Sequence, residues 1–71
     1  MLRILVVEDE EYLADLISQV FVEEGYSAEV CGDGRTALSR ALAEDFDLLI
    51  VDWMLPDLDG IEVVRRCAPL R

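Results

Sequence analysis

Glu8 and Asp9 stand directly after the apolar residues 2–7, and Asp52 stands directly after a second apolar run at 48–51. If those runs lie side by side, three carboxylates share one crevice. They would then repel one another, and no histidine or lysine lies near them in the sequence to compensate. A hard divalent cation with oxygen ligands is the natural partner for such a set. A strand that delivers Asp52 to the crevice puts its carboxylate where chemistry can use it.

The elements that would position these acids alternate along the chain. Residues 2–7 carry a single charge, Arg3, and read as a strand covered on both faces. Over residues 10–24, Leu13, Leu16, Ile17, Val20 and Phe21 fall on one stripe of an amphipathic helix. Glu10 and Glu11 suit its positive N-terminal end, and Gly25 suits its stop. Residues 26–31 read as a shorter, more exposed strand, followed by a turn at Gly32, Asp33 and Gly34. Asp33 can cap a second helix over 35–44, whose Ala37, Leu38, Ala41 and Leu42 share a face. A third strand is expected at 46–51 and a third helix at 60–67, with Pro69 discouraging its continuation through Ala68. This β-α-β-α-β-α order predicts an α/β fold, with a parallel sheet, helices on both faces and right-handed crossovers. Such sheets bind ligands beyond the carboxyl ends of their strands, where the strand order reverses.

Composition narrows the function classes. The 71 residues hold 16 acidic and 6 basic side chains, a net charge of −10, which disfavours nucleic acid and anionic membranes. A 54% apolar share is that of a folding chain, one domain at most. No run is long enough to span a bilayer or to form a secretion signal, so a cytoplasmic setting is expected. Cys31 and Cys67 are far apart and lack a CxxC pattern, so they read as ordinary thiols.

Two stretches carry a resemblance. Residues 4–10, ILVVEDE, with residues 47–66, DLLIVDWMLPDLDGIEVVRR, resemble the receiver domain of bacterial two-component response regulators. The resemblance implies a flavodoxin-like (CheY-like) doubly wound sheet in strand order 2-1-3, and residues 1–71 read as a partial receiver of three β-α units. It also implies that Asp52 accepts a phosphoryl group from a sensor histidine kinase. Mg²⁺ would be held by Asp9, Asp52 and the backbone carbonyl of Met54, with Glu8 acting mostly through bound water. Pro56 and Gly60 match positions that shape the loop behind the site. The wording is most similar to regulators with a winged-helix DNA-binding domain, so DNA would be reached only through an output domain outside these residues. The family's later Ser or Thr and Lys, which touch the phosphoryl oxygens, are not in this sequence, and the chain is expected to be truncated after its third helix.

Other readings compete. Residues 55–66 partly fit a calcium-binding loop at Asp57, Asp59 and Gly60, but Leu55 and Arg66 occupy its first and last ligand positions. A phosphatase of the haloacid dehalogenase kind needs a second acid two residues after its nucleophile, where Met54 stands, so the chain is not expected to be an enzyme. Asp57 and Asp59 otherwise read as solvated turn residues, Trp53 as a packing residue, and Arg65 and Arg66 as a solvated helix face. The remaining alternative is an inert receiver fragment that serves as an assembly module. A third strand that is an unpaired apolar edge would drive homo-oligomerisation.

Overall fold

Four consecutive side chains, Ile4 to Val7, alternate between the two faces of a strand, and all four are buried. Only a central strand covered on both sides buries both sets. The computed structural model describes residues 2–51. It shows β1 (Arg3–Val7), α1 (Glu11–Glu23), β2 (Ser27–Cys31), α2 (Gly34–Ala43) and β3 (Leu48–Val51). Both pairings are parallel and the order is β2-β1-β3. The chain steps to one side of β1 and then crosses to the other, so right-handed crossovers place α1 and α2 on opposite faces. Leu5 and Val7 meet Ala37 of α2 and Phe46 in the core, with Leu49 and Val51 alongside. α1 packs on β2 and β1. The helix predicted at 60–67 lies outside the described residues.

Local chemistry explains the element ends. The Asp33 carboxylate accepts from the Thr36 N–H at 2.9 Å, the predicted N-cap, and α2 accordingly starts one residue earlier than expected, at Gly34. Asp33→Ala should cost about 1 kcal/mol, read as a lower denaturation midpoint. α1 ends in a Schellman motif. Gly25 takes φ +93°, its N–H donates to the Val22 carbonyl at 3.0 Å, and the Tyr26 N–H donates to that of Phe21 at 3.0 Å. The Phe21 and Tyr26 rings, 6.2 Å apart, supply the hydrophobic contact that accompanies this motif. The apolar stripe of α1 corrects expectation, because it splits. Ala14 is buried and Ile17 and Phe21 are half-buried, whereas Leu13, Leu16 and Val20 are exposed. Those three precede the buried positions by one residue, about 100° around the helix, and so lie beside the contact with the sheet.

β3 also starts later than its apolar composition predicts. Phe46 and Asp47 precede it and are held by Arg3 instead of by ladder pairing. The Arg3 N–H donates to Asp47 Oδ2 and the Asp47 N–H to the Arg3 carbonyl, each at 2.8 Å. The Arg3 guanidinium lies 4.4 Å from the Phe46 ring centroid and that of Arg40 lies 5.2 Å away. Arg3 Nη2 donates at 2.9 Å to both Glu29 and Glu44, and Arg40 bridges the same two acids.

This cluster joins β1, β2 and the end of α2, and it makes stability depend on acid. Hydrogen bonds from Arg3 and Arg40 lower the carboxyl of Glu29, and those from Arg40 and Arg3 lower that of Glu44 to about 2. A depressed folded-state value means that the contribution is complete above the ordinary value of 4.5 and is lost as pH falls towards 2. Wild type should therefore lose more stability across that window than Arg40→Met, measured by urea midpoints at each pH. The side chains are about one-third exposed, so salt should shrink the difference.

Candidate functional site

Pairing β1 to β2 continues one residue past β1, where the Glu8 N–H donates to the Cys31 carbonyl at 3.0 Å. Glu8 is thereby held at the carboxyl edge of the sheet. It is 9% exposed, and its Oε2 accepts from the Glu10 N–H at 3.0 Å. The next residue, Asp9, is exposed. Together with Glu11, Ala14, Val30, Cys31 and Gly32 the two acids line a cleft of about 320 Å³ at the carboxyl ends of β1 and β2. Cys31 is half-buried, as expected of it.

On the other side of β1 the register pairs Val7 with Val51. Glu8 and Asp52 are thus the next residues in sequence after paired positions. Asp52 and Met54 lie outside the described residues, as do Trp53, Pro56, Asp57, Asp59, Gly60, Arg65, Arg66 and Cys67. Of the predicted ligand set, Glu8 and Asp9 are described and adjoin; among the described residues no group of three His, Cys, Asp or Glu side chains gathers to hold a metal. Both bring hard oxygen donors, which fit Mg²⁺ rather than a soft metal. No helix among the described residues is long and apolar enough to cross a membrane.

The cluster of Glu29, Arg40 and Glu44 around Arg3 and Phe46 was not foreseen as a unit. Its signal in the sequence is the one charge, Arg3, inside an otherwise apolar strand.

The response regulator receiver domain family matches residues 4–70. The curated relatives include the response regulator ArlR of Staphylococcus epidermidis, 41% identical over 93% of this chain and 30% of its own length. The transcriptional regulatory protein TcrA of Mycobacterium tuberculosis is 44% identical over 97% of this chain and 26% of its own. The chain thus spans less than a third of these relatives. Among solved structures, the response regulator TrrA of Thermotoga maritima in complex with Mg²⁺ and BeF superposes with a TM-score of 0.91 at 36% identity, over 94% of this chain and 58% of that one. A complex of TrrA with the histidine kinase ThkA matches with a TM-score of 0.86 at 37% identity, over 92% of this chain and 56% of that one.

Proposed function

Because the chain belongs to the response regulator receiver domain family, we propose that it is the phospho-accepting part of a two-component regulator, with Asp52 taking a phosphoryl group from a sensor histidine kinase. The observation that carries this reading is the register: β1 and β3 pair up to Val7 and Val51, and the acids Glu8, Asp9 and Asp52 follow those two positions in the sequence. The strand order reverses at β1, the position where open α/β sheets bind ligands. In the transfer, a carboxylate oxygen of Asp52 bonds to phosphorus while the bond from phosphorus to the donor imidazole nitrogen breaks, and that nitrogen leaves with the electron pair. Asp9, the Asp52 carboxylate and the Met54 carbonyl would hold Mg²⁺, which supplies charge neutralisation to the phosphoryl oxygens. Glu8, tied by its hydrogen bond to the Glu10 N–H, would orient metal-bound water.

The relative TrrA, solved with Mg²⁺ and BeF and with its kinase, supports both the metal and the partner. The relatives that are transcriptional regulatory proteins support an output domain that reaches DNA, and the setting proposed for such a regulator is cytoplasmic. Residues 1–71 are read as the first three β-α units of the receiver.

Acetyl phosphate with Mg²⁺ should add one phosphate at Asp52, located by mass spectrometry. The label should form slowly, since no lysine is present in these 71 residues to neutralise the phosphoryl group. Millimolar Mg²⁺ should also raise Tm, and Asp9→Asn or Asp52→Asn should reduce that rise. Label that persists in Asp52→Asn, or a Tm indifferent to Mg²⁺ in a folded sample, would overturn the assignment.

A second reading, an assembly module without phosphotransfer, is favoured by β3. Among the described residues β1 is its one strand neighbour, and Leu48 is 45% exposed. A second copy of this chain is the occupant proposed for that edge.

A further inference from the structure

We infer that Arg3 is a positioning residue: from the end of the sheet opposite the acids, it sets the register of β3 and so the place at which the chain reaches residue 52. The inference rests on the reading of Asp52 as acceptor and metal ligand. Its basis is how β3 is anchored. Parallel pairing to β1 involves only four residues, Leu48 to Val51, and all four are apolar. A short apolar strand has little in its side chains to distinguish one register from the next. A slip of one residue would move β3 by roughly 3.3 Å and send each side chain to the opposite face.

Three contacts oppose that slip, and all meet at Arg3. Two are the reciprocal 2.8 Å hydrogen bonds with Asp47, one of them from the Arg3 backbone to the Asp47 carboxylate. The third is the guanidinium over the ring of Phe46, a side chain buried to 2% exposure. After a slip, Asp47 could not face the Arg3 backbone while Phe46 stayed under the guanidinium. Arg3 is in turn fixed to β2 through Glu29 and to the end of α2 through Glu44. The clamp therefore refers β3 to two other elements as well as to β1.

Three variants of the 71-residue chain test this. They are Arg3→Ala, Arg3→Lys, and Asp33→Ala as a destabilised control away from β3. Amide hydrogen exchange reads the anchoring, and a Mg²⁺ titration followed by the fluorescence of Trp53, the sole tryptophan and the neighbour of Asp52, reads the placement. In Arg3→Ala the amides of β3 should exchange roughly tenfold faster relative to those of β2. The Mg²⁺ Kd should rise roughly three- to tenfold. Both Arg3 variants keep the two backbone bonds to Asp47 and lose the guanidinium; Arg3→Lys, which retains a cation beside Phe46, Glu29 and Glu44, should recover part of both effects and decides the matter if Arg3→Ala does not fold. Asp33→Ala should change β2 and β3 exchange in step and leave the Kd within roughly twofold. Exchange that rises equally in β2 and β3 of the Arg3 variants, or a Kd that stays unchanged while β3 exchange rises, would overturn the inference. A wild-type chain that shows no response to Mg²⁺ overturns instead the metal reading of Asp9 and Asp52, and the exchange comparison then decides the register claim by itself.

Discussion

Phe46→Ala is expected to lower stability by about 3–5 kcal/mol, the usual cost of truncating a buried phenylalanine. The ring fills the core beside Leu5, Val7 and Ala37 and lies beneath the guanidinium groups of Arg3 and Arg40. At roughly 0.05–0.15 kcal/mol per residue, 71 residues have about 4–11 kcal/mol of total stability, so the variant should sit near or below its unfolding threshold at room temperature. Phe46→Leu should cost less, because it fills much of the same volume, although it forfeits the ring contacts with both arginines. Urea denaturation followed by circular dichroism checks this. A midpoint for Phe46→Ala within about 1 M of wild type would show that the ring is dispensable.

The second large effect concerns assembly. Wild-type chain at micromolar concentration should scatter light as a dimer or larger species, at least twice the 8.0 kDa of one chain, through pairing at β3. The net charge of −10 opposes this, but at physiological ionic strength its range is only about 8 Å, too short to offset direct backbone pairing. Leu48→Lys should return the chain to a monomer. Position 48 is half exposed, so a lysine there can keep its ammonium in water while discouraging a second strand. A folded wild-type monomer would remove the assembly proposal. A variant that remains associated would place the contact elsewhere.

What could be read in the sequence follows how local the deciding physics is. The β1 run, the Asp33 cap and the Gly25 stop depend on neighbours within a few residues, and each appears where expected. The strand order 2-1-3 followed from the resemblance and is observed. The face of α1 was legible only as a period: the pattern marks Leu13, Leu16 and Val20 as apolar but does not say how wide a surface the sheet offers them. The onset of β3 was misjudged because Phe46 and Asp47 belong by composition to the strand, while their partner, Arg3, is more than 40 residues away. Glu29, within β2, gave no local hint that it would pair with arginines from two other elements. At the candidate site the adjacency of Glu8 and Asp9 is written in the chain, and the level at which β3 ends beside them is a matter of tertiary register.

The arrangement of Arg3 and Arg40 has a kinetic consequence at the far end of the sheet. Both cations are matched by Glu29 and Glu44 where β1 begins, so neither is left over to offset the other acids. Glu8 and Asp9, with Glu10 and Glu11 beside them, stand where β1 finishes. The acids at the cleft are thus not offset by this pair of arginines, and they add locally to the attraction that a net charge of −10 exerts on cations. Small cations and basic protein surfaces approaching by diffusion are drawn to that end before any contact forms, and acidic ones are turned away. Such guidance speeds encounter most in dilute salt and fades as ionic strength rises.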